Sequence, residues 1–301
     1  MAILRVNHTT TYTYKHPVGF GEHRILFRPR DSHDQRLLQS RMVISPEPSE
    51  LFWVHDPFGN SVAVANFDVK SDALRFETEI VVDQTPQLRL HYRAEHHARS
   101  WPFDYDEEDL PDLRSSITRQ YANDGGATED WARRFISPTG TTDTASMLDA
   151  MTVAIRDDFR YSRRTNPGTQ TPAMTLDSQS GTCRDFALLM MEAARALGFA
   201  ARFVTGYIYV PSRDGTELLG GGATHAWTQI YLPGAGWVEF DPTNGIIGNR
   251  DLIRVGVARD PRQAIPLWGT HNGGRNVSLG MTVQVNVTSA DAGAEQPAFP
   301  A

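Results

Sequence analysis

The sequence predicts an α+β protein in two parts, a β-rich N-terminal domain followed by a core that pairs a buried helix with an antiparallel sheet. Three observations carry this reading. The first hundred residues hold short runs rich in Thr, Tyr and Val, separated by turn signals. Apolar residues at helical spacing take over between residues 127 and 197. Aromatic and β-branched runs return after Gly198. At about 100–200 residues per domain, a chain of 301 residues has room for two.

In the first part, LRVNHTTTYTY (4–14), LLQSRMVIS (37–45) and ALRFETEIVVD (73–83) read as strands. LFWVHDPFGNSVAVANF (51–67) is two apolar runs around a turn-rich centre from Asp56 to Asn60, which reads as a hairpin. Strands of this kind with so little helical period suggest a β-sandwich-like domain over residues 1–98. His8, His16, His23, Arg24, Arg28 and Arg30 have no metal-ligand spacing and read as exposed polar side chains. RSWPFDYDEEDLPDL (99–113) is acidic and carries Pro102 and Pro111, so residues 99–126 read as a linker into a helical region.

The second part, residues 127–288, opens with a short helix in ATEDWARRF (127–135). DTASMLDAMTVAIRDDFRY (143–161) is a stronger one. Met147, Met151, Ala154, Ile155 and Phe159 fall on one face, and Asp143 is placed to cap the start. NPGTQTPAMTLDSQSG (166–181) reads as a loop. RFVTGYIYV (202–210), HAWTQIYL (225–232) and WVEFD (237–241) read as strands, and the glycine run 220–222 as a loop beside the site. Residues 289–301 are small and polar and read as a disordered tail.

Several functions are disfavoured at this level. A net charge of −7 argues against a broad nucleic-acid surface. No apolar run reaches the roughly 18 residues of a membrane span. The opening MAILRVNHTT has no apolar signal region, and a single cysteine makes no internal disulfide, so a reducing, cytoplasmic setting is expected. His96 and His97 adjoin but have no third ligand in register, which leaves a metallohydrolase the weakest reading.

The single cysteine, Cys183, lies in SGTCRDFALLMMEAARALGF (180–199). Thr182 with Asp185 three positions on is a helix-start signal, and Gly198 is a stop. Phe186, Ala187, Met190, Met191, Ala194 and Leu197 form an apolar stripe, which predicts a buried helix over 183–197 with Cys183 at its first position. Unpaired N–H groups and the helix dipole there favour a thiolate and can hold an oxyanion. The plainer alternative is that Cys183 extends the stripe as a small hydrophobe.

A catalytic thiol needs a base and a group that orients the base. His225 opens one strand, and Asp241 closes the next, after the tight PGAG turn at 233–236. Paired about that turn, the two are expected to lie across from each other at the open end of the hairpin. Pro242 cannot donate to a ladder, so Asp241 belongs at a strand end. Glu239 shares its face and is the rival orienter. Being nearer the turn, it should pair away from His225.

T-P-A-x-T-L (171–176), G-T-C-R-D-F-A (181–187), T-H-A-W (224–227) and W-V-E-F-D-P-T-N (237–244), in this order, resemble the transglutaminase-like superfamily. The bacterial branch, with a β-rich domain before the core, is the most similar. The resemblance covers about residues 155–250 by motif, and the first hundred residues by arrangement. It implies a papain-like transglutaminase core, with a helix-borne Cys packed on an antiparallel sheet. It further implies a Cys-His-Asp triad with Cys183 as nucleophile, His225 as base and later acid, and Asp241 as orienter.

The implied reaction passes through a thioester on a peptide or protein amide. Resolution by water makes a hydrolase, resolution by an amine an acyltransferase, and the resemblance favours hydrolysis. No metal or organic cofactor is implied, and no acidic cluster has calcium-loop spacing. Tyr161 is the candidate second oxyanion donor or, equally, a core tyrosine. Arg184 either adds positive potential beside the thiolate or is solvated. Trp227 and Trp237 either wall the site or pack the core. The alternative to an enzyme is a catalytically silent binding module on the same fold.

Overall fold

The computed structural model describes residues 2–87, 93–162, 168–210, 222–274 and 276–290. The N-terminal part contains β1 (Ala2–Ile25), β2 (Gln35–Ser45), β3 (Glu50–His55), β4 (Ser61–Asn66) and β5 (Lys70–Gln84). The two-residue strand β6 (Ser100–Trp101) and α1 (Leu110–Ile117) follow. Next come α2 (Ala127–Arg133), β7 (Thr142–Asp143), α3 (Thr144–Asp158), β8 (Arg160–Tyr161), α4 (Pro172–Ser178), β9 (Ser180–Gly181) and α5 (Cys183–Ala196). The chain finishes in strands: β10 (Ala201–Ile208), β11 (His225–Leu232), β12 (Gly236–Asp241), β13 (Ile246–Ile247), β14 (Leu252–Ala258), β15 (Leu267–Asn272) and β16 (Ser278–Ala290). Among the described residues, no helix is long and apolar enough to cross a membrane.

The β-rich part is hydrogen-bonded as one seven-stranded antiparallel sheet, in the order β2-β5-β1-β4-β3, with β15 and β16 also on β1, and its two halves pack a common core of Ile44, Leu74 and Phe76 with Ile25, Ala63 and Ala65. The cause is the length of β1, 24 residues, which offers two edges. Its first half pairs with β5 on one side (Val6↔Ile80) and β16 on the other (Val6↔Val287). Its second half pairs with β4 and β15. The expected hairpin over 51–67 is present as β3 and β4, with Asp56 accepting from the backbone of Phe58 and Asn60 in the turn.

Two boundaries read from the sequence therefore move. Residues 267–288, assigned to the core, complete the N-terminal sheet. Ser289 and Ala290, assigned to the tail, end β16, while 291–301 lie outside the described residues. The alternation in this segment specifies a strand but not which sheet it joins.

The linker and the loop before the cysteine also contain helices. In α1 and α4 a proline stands in the first turn, where its missing N–H removes no intrahelical bond. Thr171 caps α4 by accepting from the Met174 N–H at 3.3 Å. Asp143 caps α3 as expected, accepting from Ser146 N at 2.8 Å.

The core sheet runs β13-β12-β11-β10-β14. Helix α5 lies against β11 and β10, where Phe186, Leu189, Met190, Phe203, Ile230 and Phe240 share one core with Met151 and Ile155 of α3. Thr228 Oγ1 donates to the Ala187 carbonyl at 2.7 Å and pins strand to helix. Gly198, at φ +91°, lets the chain leave α5 in a left-handed turn.

The two parts share a packed interface. Leu4, Val6, Ile80 and Val82 of the first sheet meet Tyr207, Ile253 and Val255 of the second. β14 is an edge strand, and amide side chains cover its outer backbone groups. Gln35 donates to Arg254 O and accepts from Arg254 N (2.8 and 2.7 Å), and Asn60 does the same for Val257 (2.7 and 2.9 Å). Gln84 donates to the Asn249 and Leu252 carbonyls. Pairing of this kind satisfies buried backbone groups that a bare edge would leave open.

Candidate active site

The site is built from the start of α5 outward. Cys183 is the first helical residue and is buried, with 7% of its surface exposed. Asp185, fully buried, organises the turn beneath it. Its carboxylate accepts from Thr182 N at 2.8 Å, Thr182 Oγ1 at 2.9 Å and Gln170 N at 2.6 Å. The sequence reading of Asp185 as a capping residue holds, and the cap also gathers the preceding loop. The Asp185 and Phe186 N–H groups both bond the Thr182 carbonyl at 3.0 Å, and the N–H groups of Cys183 and Arg184 before them have no acceptor within the helix.

His225 opens β11 and Asp241 closes β12. His225 Nε2 and Asp241 Oδ2 are 2.8 Å apart, and both side chains are fully buried. The ladder pairs Gln229 with Glu239 and ends at Thr228↔Phe240. Continued by one residue, it sets Asp241 opposite Trp227. The expected direct pairing is thus two residues out of register, and the two side chains meet on the diagonal, which cross-strand geometry permits.

The Asp241 carboxylate is fixed by its own sequence. Oδ1 accepts from Thr243 N at 2.9 Å, and Oδ2 also accepts from Asn244 Nδ2 at 2.8 Å. An Asp followed by Pro-Thr-Asn bonds its own backbone two residues on, a turn signal present in the sequence. Glu239 is occupied elsewhere. It accepts from Gln229 Nε2 and Arg254 Nη1, both at 2.6 Å.

Burial works against a charged His225 ring. The charge and hydrogen bond of Asp241, with a smaller contribution from Cys183, outweigh it and push the imidazole pKa up to about 10. Its other ring nitrogen, Nδ1, is buried with no oxygen or nitrogen partner, and Cys183 acts on the same ring through a side-chain hydrogen bond. Nε2 being held by Asp241, Nδ1 is the atom free to exchange a proton with the thiol.

Trp227 stacks beside the imidazole, with ring centroids 5.9 Å apart and planes 28° from parallel. It fits because Gly206 lies under it. A Cβ there would stand 2.8 Å from the indole and 2.0 Å from the Ile253 carbonyl oxygen. Trp237 is not at the site. It lies near the turn, under the Arg202 guanidinium at 4.0 Å and beside Tyr231.

Arg184 is not solvated. Its guanidinium donates to the carbonyls of Pro261 (2.7 Å) and Ala264 (3.3 Å) and lies over the Phe203 ring. Tyr161 is carried to the site by a short parallel ladder that pairs it with Gly181, two residues before the cysteine, and its ring packs against Phe186. Of the glycine run, Gly220 and Gly221 lie outside the described residues. His97 is exposed beside Glu95 at 3.6 Å, and no three metal-binding side chains converge among the described residues.

The N-terminal histidines correct the sequence reading. His8 and His23 are buried rather than exposed. His8 bonds Tyr207 Oη through Nδ1 and Thr10 Oγ1 through Nε2, both at 2.9 Å. Its position on the inward face of β1 was legible, because it follows Leu4 and Val6 in alternation. Its partner across the interface was not.

Residues 4–83 match the bacterial transglutaminase-like N-terminal region, and residues 129–242 match the transglutaminase-like superfamily. An uncharacterized protein of Mycobacterium tuberculosis is 27% identical over 299 residues, covering 96% of this chain and 94% of its own. A protein-glutamine gamma-glutamyltransferase of Pseudomonas aeruginosa is 34% identical over 82 residues, 25% of this chain and 11% of that one. A crystal structure of a candidate cysteine protease from Cytophaga hutchinsonii superposes with a TM-score of 0.73 at 19% identity, over 99% of this chain and 94% of that one, and shares the fold. The chain belongs to the transglutaminase-like superfamily, with the bacterial N-terminal region ahead of the core.

Proposed function

We propose that the protein is a thiol-dependent hydrolase of peptide, isopeptide or side-chain amide bonds, acting through Cys183, His225 and Asp241. The observation that carries this is the buried 2.8 Å His225–Asp241 pair next to a cysteine at a helix start. The Cys183 thiolate adds to the amide carbonyl, and helix-start N–H groups hold the oxyanion. Tyr161, beside the cysteine segment, is the candidate second donor. The C–N bond breaks as His225 gives its proton to the leaving amine, which leaves a thioester on Cys183. Neutral His225 then takes a proton from water as the water oxygen attacks the thioester. The carboxylic acid product leaves, and the proton returns the imidazole to its charged form.

An amine in place of water gives acyl transfer, the activity named for the Pseudomonas aeruginosa relative. The triad serves both, and the second nucleophile's binding decides between them. The test is a product assay of wild type against Cys183→Ala on amide and peptide libraries, following ammonia, new peptide termini and amine incorporation separately. Ammonia or new termini without amine incorporation is the expected result. Equal activity in Cys183→Ala removes the mechanism, and no turnover by wild type favours the silent binding module.

A further inference from the structure

A cavity of about 400 Å³ opens between the N-terminal sheet and the core. Tyr12 of β1 and Met281 and Val283 of β16 line one wall, and Ile265 and Pro266 of the core line the other. Arg184, which follows Cys183 in the chain, and Thr224, which precedes His225, also border it. The cavity is therefore bordered by a chain neighbour of each proposed reacting residue. We propose that it is the subsite for an apolar side chain of the acyl donor, so that the N-terminal domain selects substrate for the thiol. This rests on Cys183 being the nucleophile.

The apolar commitment follows from the state of the polar groups. The lining is mostly carbon, and its most buried polar side chains are already paired. His8 is held by Tyr207 and Thr10, and Arg184 by two backbone carbonyls. Neither presents an unmet hydrogen bond that a polar ligand would be needed to fill. The volume falls in the range of small-ligand sites, which runs from about 300 to 1,000 Å³. Both walls carry exposed apolar side chains, Met281 at 55% and Ile265 at 42%. A substrate side chain between them would remove that surface from water.

The test uses the single cysteine as its own reporter. Iodoacetamide and N-benzyl iodoacetamide both alkylate Cys183 by displacing iodide, and mass spectrometry gives each rate on the folded full chain. The benzyl probe is expected to react about tenfold faster in the wild type, the gain that partial burial of one phenyl ring supports. Met281→Lys and Ile265→Lys, each on a different wall and exposed enough to fold, should bring that ratio near one and leave the iodoacetamide rate unchanged. No benzyl preference in the wild type, or a preference that both variants retain, overturns the subsite. A native Cys183 inert to iodoacetamide itself overturns the nucleophile reading and the subsite with it.

Discussion

His225 and Asp241 meet on a diagonal, not across a rung. Their 2.8 Å contact joins the first residue of one strand to the last of the next, beyond the final ladder pair Thr228↔Phe240. Neither side chain depends on that ladder for its position. Asp241 is held by Thr243 and Asn244, and His225 by the Trp227 ring and by pairing of its backbone with Gly206.

Removing the charge of Asp241 should release the His225 proton. With a pKa near 10, the ring stays protonated through pH 8, and Asp241→Asn should bring its titration back toward or below about 6.5. Activity on any substrate found should fall between about 10² and 10⁴-fold. The folded pKa is raised above the unfolded value. The stability it contributes is therefore complete below about pH 6.5 and declines as pH rises toward about 10. Imidazole NMR titration checks the first point, and urea unfolding at pH 6 and pH 9 the second. A wild-type His225 already neutral at pH 7 would refute this account.

Asp185 should matter for both folding and reactivity. Asp185→Ala strands Thr182 N, Thr182 Oγ1 and Gln170 N around a fully buried position. Loss of such a cap and its charged acceptor costs about 2–4 kcal/mol. Urea unfolding should show it, with slower alkylation of Cys183 in the variant that remains folded. Asp185→Asn, keeping one acceptor oxygen, should fall between. An unchanged denaturation midpoint in Asp185→Ala would count against the assigned role.

His8 should make the domain interface acid-sensitive. Burial pushes its pKa down to about 4, so the folded ring is neutral while the unfolded one protonates below about 6.5. Stability linked to it is then complete above pH 6.5 and declines as pH falls toward 4, by about 3 kcal/mol at most. His8→Gln should flatten that part of the stability profile. The measurement is chemical denaturation from pH 7 to pH 4, and parallel profiles for the two proteins would argue that His8 is not responsible.

How far the sequence could be read depended on the range of each interaction. The start of α5 was legible because Thr182, Cys183 and Asp185 interact within one turn, and the stripe from Phe186 to Leu197 is a local period. The β11–β12 hairpin was legible as a hairpin, but its register differed by two residues because the PGAG turn does not fix which residues pair. Pro111 and Pro172 misled because proline ends helices inside them and starts them at the first turn. His8 and β16 depended on partners some two hundred residues away or more, Tyr207 for one and β1 for the other. No local pattern encodes such a choice.

The pairing of β16 with β1 has a consequence for how the molecule is made. Ile3 is opposite Ala290 and Val6 opposite Val287, so β1 waits for a strand translated long after it. Until residues 278–290 emerge, one edge of β1 stays open, and Met281 and Val283 are missing from the cleft. Contacts of such sequence separation close slowly. The nascent chain can assemble α5 and the histidine hairpin while the strand that brings Met281 and Val283 to the cleft is still being translated. Synthesis order itself would then keep an unfinished chain from gripping a substrate.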